Sequence, residues 1–336
     1  MQDFPFRVSV DRAITSLVRH ATVLPHFFSF VLSETSHLFF DPQDGNNLVG
    51  TIPNEISALS TLKVLDLSEN ALSSNIPSKL VRLSNLELLK LGHNHLAGDF
   101  PMGFTVLTNL KVFNITNNDI HGYLEPRRGF VVSNPFPLWH ALEVLDISNN
   151  DLQGLVPGQL RGLISLREFH FGHNRFSGYL PAHFGDLRQL SVIDGSHNKI
   201  TGPFPWDSVG RSEAIRRVDM SYNQLSEILP PSDVDRYGIV STLESLDLSH
   251  NPCDYCGKDE RRIPEALAKL TSLKELRLSD INAGGTIPSS LGLLKELQVL
   301  DLSSNQLVGT IPPSLERLTG LQVLDLSLND LSDRRM

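Results

Sequence analysis

Residues 297–312 read LQVLDLSSNQLVGTIP, and residues 62–77 read LKVLDLSENALSSNIP, so one frame stands twice in the chain. Apolar residues fall eight, five and three positions before an asparagine, another falls two after it, and a proline falls seven after. Outward from these stretches the asparagine recurs as Asn46, Asn70, Asn94 and Asn118, then Asn150, Asn174, Asn198, Asn223 and Asn251, then Asn305 and Asn329; Ile281 holds the remaining slot. The dominant spacing is 24 residues. Of twelve slots, eleven carry Asn, eight have Gly four residues later and nine have Pro seven later, which excludes coincidence. A period of this length means stacked coils rather than the two domains that 336 residues would otherwise suggest.

The frame has a physical reading. Leu-x-Leu alternation puts two side chains on one face of a short strand. The asparagine that follows can turn its amide inward and satisfy backbone groups where the chain bends, so stacked copies form an Asn ladder. After the proline, apolar residues return at third positions, as Leu80, Leu83 and Leu86, which suits a short 3₁₀ or helical turn. One coil cannot bury its own interior, so stability becomes a sum over neighbouring interfaces.

The string Asn46-Asn47-Leu48-Val49-Gly50-Thr51-Ile52-Pro53 and its repeats resemble the leucine-rich repeat family, in its plant-type class with the L-x-G-x-I-P signature. The resemblance runs over about residues 46 to 332. It implies an α/β solenoid, a right-handed arc with a parallel concave sheet and short 3₁₀ or helical turns on the convex side. It also implies a non-catalytic module resembling receptor-like protein or receptor-kinase ectodomains, with a protein or peptide ligand on the concave sheet. Two other settings stand beside this one: an intracellular adaptor or scaffold, and a secreted hydrolase inhibitor similar to polygalacturonase-inhibiting proteins. Residues 1–45 stand outside the frame as an atypical cap, and residues 46–336 form the solenoid of about eleven to twelve coils, the last one truncated.

Composition narrows the field. The chain carries 38 acidic against 29 basic residues, a net charge of −9, and is 40% hydrophobic. No basic cluster offers the electrostatic footprint that nucleic acid requires, and no apolar run reaches the roughly 20 residues of a membrane span. Phosphate loops, nucleophile elbows and His-Glu-x-x-His strings are absent from the sequence, so neither enzyme nor cofactor is expected. Arg7, Arg12 and Arg19 precede an apolar stretch at 21–32, but Pro25 and His26 interrupt it and no small-x-small cleavage site follows. The family's usual cap holds paired cysteines and a tryptophan, and residues 1–45 contain neither. That absence favours the adaptor, and the compartment stays open between cell surface and cytoplasm. Met336 falls seven residues after Asn329, ahead of the expected Ile-Pro, so the expectation is a fragment, a truncated relative or an incomplete gene model.

Three departures from the period mark insertions. Eight extra residues lie within 125–140, with Phe130, Phe136 and Trp139; four lie around 232–242; six lie between Asn251 and Ile263. The aromatics of the first are expected to pack back on the flank, with a partner-binding loop as the other reading. The third holds Cys253 and Cys256, a candidate local disulfide; a redox pair or half a zinc site are the alternatives. One glycosylation sequon begins at Asn114, in a strand on the concave side.

Register also lists the outward side chains. Four before the slot the column reads Asp66, Lys90, Asn114, Asp146, His170, Asp194, Asp219, Asp247, Arg277, Asp301 and Asp325. One before it reads Glu69, His93, Asn117, Asn149, His173, His197, Tyr222, His250, Asp280, Ser304 and Leu328. Adjacent coils thus gather His170, His173, Asp194, His197, Asp219, Tyr222, Asp247 and His250 into one candidate partner-binding patch. A metal or catalytic site would use the same atoms, but an open sheet leaves carboxylates solvated with ordinary acidity. The plain alternative is that Asp in Leu-Asp-Leu-Ser is a solvent-facing habit of such repeats.

Overall fold

Three extended residues open each coil, and only the middle one points inward. Leu65, Leu89, Phe113 and Leu145 are fully buried, while the residues flanking each are half-exposed. The computed structural model of the protein describes residues 37–39, 48–124, 139–182, 184–230, 242–251 and 261–332. These belong to two compact units, residues 1–153 with 162–166, and residues 154–161 with 167–336.

In the first unit, strands β1 (His37–Phe39), β2 (Val64–Asp66), β3 (Leu88–Lys90), β4 (Val112–Asn114) and β5 (Val144–Asp146) pair in parallel and in chain order. In the second, β6 (Glu168–His170), β7 (Val192–Asp194), β8 (Arg217–Asp219), β9 (Ser245–Asp247), β10 (Glu275–Arg277), β11 (Val299–Asp301) and β12 (Val323–Asp325) do the same. Each unit is an α/β solenoid of stacked coils. Strands this short are not stable in isolation, so the ladder and the interior carry them. Strand β1 lies inside the segment the frame leaves out, with His37 opposite Val64.

The asparagines do what the bend requires. Asn94 Oδ1 accepts the Leu72 N–H at 3.0 Å, and its Nδ2 donates to Leu67, Leu91 and Gly92 carbonyls. Asn251, with no exposed surface, does the same for Leu225, Met220, Leu248 and Ser249. Each amide therefore ties its own bend to the coil before it. At the slot without an amide, Asn305 Oδ1 accepts from both Ile281 and Ala283.

Beyond the asparagine, short lateral strands such as Ala71–Asn75, His95–Asp99 and Asp119–Tyr123 pair in parallel. The prolines then start 3₁₀ turns, among them Ser78–Arg82 after Pro77 and Ser289–Leu293 after Pro288. The coil from Asn198 to Asn223 is 25 residues long, and its turn is instead a single α-helical one, Trp206–Val209, closed by Gly210 N–H to the Trp206 carbonyl. One added residue converts i→i+3 bonding to i→i+4.

Trp139 is not part of an external loop. It is fully buried, donates Nε1–H to the Phe104 carbonyl at 3.0 Å, and sits 5.4 Å from the Phe113 ring. Gly195 occupies an inward slot held by Leu or Ile in most coils, because the Phe171 ring fills that space: a Cβ on Gly195 would lie 2.3 Å from Phe171 Cζ and 2.8 Å from Met220 Sδ. Residues 1–36, Phe130, Phe136, the second insertion up to residue 241, Cys253 and Cys256 lie outside the described residues, as does the end of the chain from 333.

Candidate partner-binding surface

The outward columns of β6 to β9 and the bends after them form one surface within the second unit. The residue one before each slot is bound to an unusual backbone. From Glu69 through Leu328 every residue of this column has a positive φ, between 51° and 57°. That left-handed conformation costs a non-glycine residue about 1 kcal/mol and penalises β-branched side chains most; none stands in the column. The conformation points the side chain out of the bend and aligns it with its equivalent one coil away.

In four successive coils the aligned side chains are rings. His173 and His197 stack at 4.0 Å between centroids with 15° between planes, His197 and Tyr222 at 4.1 Å and 11°, and Tyr222 and His250 at 4.0 Å and 21°. The stack ends on a carboxylate, with His250 Nδ1 3.0 Å from Asp280 Oδ2. Tyr222 remains 46% exposed, so the stack is a surface feature, with its ring edges turned to solvent. His197 is held below the ordinary histidine value, first by burial between its neighbours and then by His173, with Asp219 and Asp194 opposing.

The aspartates beside the stack are partly occupied. Asp194 Oδ1 accepts both the N–H and the hydroxyl of Ser196, and Asp219 Oδ1 accepts both from Ser221. The same Asx-type turn recurs at Asp66, Asp146, Asp301 and Asp325. One oxygen of Asp194 and one of Asp219 thus shape their bends. Asp247 departs from the ordinary acidity expected of an open sheet. Burial pushes its carboxyl up, Ser249 opposes through hydrogen bonding, and Asp219 adds to the rise.

The structure places the eight predicted residues in two adjoining columns. His173, His197, Tyr222 and His250 make one stack; Asp194, Asp219 and Asp247 make the column beside it. His170 stands in that same column, in register with Asp194, with its Nε2 3.4 Å from Glu168 Oε2. Sequence reasoning passed over the column six before the slot, which strand alternation also turns outward. There Glu275 is bonded by Arg277 at 2.6 Å and by Ser245 at 2.9 Å. Asp280, which closes the stack, was readable in register but not as a partner of His250. Asn114 lies on the strand face of the first unit, with Oδ1 accepting the Thr116 N–H and Nδ2 donating to Asp146 Oδ2.

Residues 140–200 match the family model described as Leucine rich repeat, and residues 61–83 and 296–318 match the one described as Leucine Rich Repeat. Over these residues the chain is similar to the leucine-rich repeat family. Receptor-like protein 39 of Arabidopsis thaliana is 29% identical to it over 148 residues, 44% of this repeat protein and 16% of that one. Among solved structures, a TDR receptor is similar with a TM-score of 0.78 and 29% identity over 89% of this chain and 48% of the receptor chain. The plant peptide hormone receptor RGFR1, solved in complex with RGF2, is similar with a TM-score of 0.70 and 28% identity over 85% of this chain and 46% of the other. The repeat protein spans 10–17% of the length of the receptor-like proteins it matches. Among its described residues no helix is long and apolar enough to cross a membrane.

Proposed function

We infer that the repeat protein is a non-catalytic recognition module of the receptor-like kind, and that it takes a protein or peptide ligand on the strand face of its second unit. The observation that carries this is the exposed run of rings at His173, His197, Tyr222 and His250, beside the carboxylates of Asp194 and Asp219. Small polar or charged side chains at the same register, such as Ser304 and Glu69, satisfy the bend equally well, so folding does not demand the rings. A flat amphipathic strip flanked by acceptors suits a polypeptide, which offers both apolar groups and N–H donors. The similarity to RGFR1, a receptor described in complex with a peptide, supports the same reading.

The test is a peptide-display selection against the whole chain, repeated with alanine at His173, His197 and Tyr222 together. Loss of at least about tenfold in affinity for the recovered peptides, some 1.4 kcal/mol, is the expected outcome. Unchanged affinity in a variant with an unchanged melting curve would remove the reading.

A further inference from the structure

We propose that the His173–His197–Tyr222–His250 stack is an acid-sensitive element of the strand face, closed at neutral pH and opened when its histidines take up protons. The consequence for binding rests on the recognition reading above; the opening itself does not.

The geometry carries it. His173 and His197 are in van der Waals contact face to face, at 4.0 Å and nearly parallel. A neutral imidazole pair tolerates this, and one imidazolium does too, since a cation over a ring is attractive. Two imidazoliums are different, because like charges at that distance repel strongly even beside water. The far end of the stack is built otherwise. His250 has the Asp280 carboxylate at 3.0 Å, a counter-charge that the face-to-face pair lacks. Among the described residues His197 has no carboxylate within ion-pair distance; Asp194 and Asp219 act on it only through space, and His173 and His250 both oppose its charge. Positive charge in the face-to-face part of the stack has no such partner, and separation relieves the repulsion.

Separation has a defined cost and a defined product. Each ring stands on a left-handed residue whose backbone is fixed by the ladder: the N–H of His197 donates to the Ser221 carbonyl at 2.9 Å, and that of Tyr222 to the Ser249 carbonyl at 2.9 Å. The backbone therefore stays, and only side-chain torsions turn. Opening would replace a continuous ring strip by splayed cations next to Asp194, Asp219 and Asp247. A polypeptide that fits the closed strip would then meet neither its shape nor its charge.

The experiment follows the free chain by NMR from about pH 8 to about pH 5, the range over which histidine charges. Tyr222 ring protons, assigned by their loss in Tyr222→Asn, report the stack, because His197 and His250 shield them from both faces. Expected is loss of most of that shielding in step with His197 protonation, with far-UV circular dichroism unchanged. In His197→Phe, which keeps a ring but cannot charge, the Tyr222 shifts should stay flat. Tyr222 shifts that do not move with pH, that move equally in His197→Phe, or that move only with global unfolding would each overturn the proposal. No ligand enters this measurement, so failure of the recognition reading is read separately, from the display selection.

Discussion

Two columns run side by side through every coil, and they obey different rules. The asparagine column is largely buried and nearly invariant within the chain; Asn251 has no exposed surface and Asn94 is 6% exposed. The column one residue before it is largely exposed and changes from Glu69 to His93 to Tyr222 to Leu328. Both positions are dictated by the same bend. What differs is the atom the bend requires. At the slot it needs a side-chain amide that accepts from one backbone N–H and donates to several carbonyls, and only asparagine reaches them all. One position earlier it needs only a tolerated left-handed φ, which leaves the side chain free for other work.

Breaking the buried column should cost most. Asn251→Ala leaves the Leu225 N–H and the Met220 carbonyl without the partner they have, inside a dry interior. A loss of about 3 kcal/mol is expected, seen as a lower denaturation midpoint. His250→Ala, its sequence neighbour, should lose no more than about 1 kcal/mol. Similar losses at the two positions would break the contrast.

A second, smaller test concerns the inward slot at Gly195. Restoring the leucine that the frame prefers should destabilise by about 2 kcal/mol, because Phe171 and Met220 already fill the space. The double variant Gly195→Leu with Phe171→Leu should recover a good part of the loss, since the clash is pairwise. Additive losses would mean that Phe171 is not what excludes the side chain.

This glycine shows how much of the fold was legible. The slots, the strands and the Asn ladder follow from the period, because each coil repeats the same inward demands. Gly195 stood in plain view as an exception, but which neighbour filled its space depends on ring torsions that no spacing encodes. The helical turn at Trp206–Val209 sits in a 25-residue coil, a one-residue departure that the reading of the period left aside. Strand β1 was hidden because Val64 pairs with His37, 27 residues away, rather than with the residue 24 before it. For the surface, register placed His173, His197, Tyr222 and His250 on neighbouring coils. It could not say that their rings lie flat on one another, nor that Asp280 closes the end, because both depend on the left-handed backbone that aligns them.

The exposed column also has a pH signature. The folded-state value of His197 lies below that of an ordinary histidine, so the unfolded chain binds its proton first. The contribution is complete above about pH 6.5, is lost as pH falls below that value, and stops changing once the folded histidine also protonates. With the stack largely solvated this is worth less than about 1 kcal/mol. Comparison of denaturation midpoints across this range for the wild type and His197→Phe checks it: the wild type should show the steeper decline. A variant with the same slope would assign the pH dependence to other groups.

The smallest expected effect lies on the first unit. Glu87 joins Lys111 at 2.8 Å and Lys63 at 3.3 Å, each one coil away. The Lys111 hydrogen bond above all holds its carboxyl below the usual carboxylate value of 4.5, against the opposing effect of burial and with help from Lys63. A depressed carboxylate stabilises the fold above its unfolded value, and the contribution disappears as pH falls through the folded one. All three side chains are one-third to one-half exposed, so solvent screening limits the gain to about 0.5 kcal/mol. Glu87→Gln should lower the midpoint by that little at low salt and by nothing at about 1 M, where the Debye length is about 3 Å. A loss that persists in high salt would show that Glu87 contributes through packing of its stem along the strand face. Even a charge bridging three coils would then be acting as the buried columns do, through contact rather than through its field.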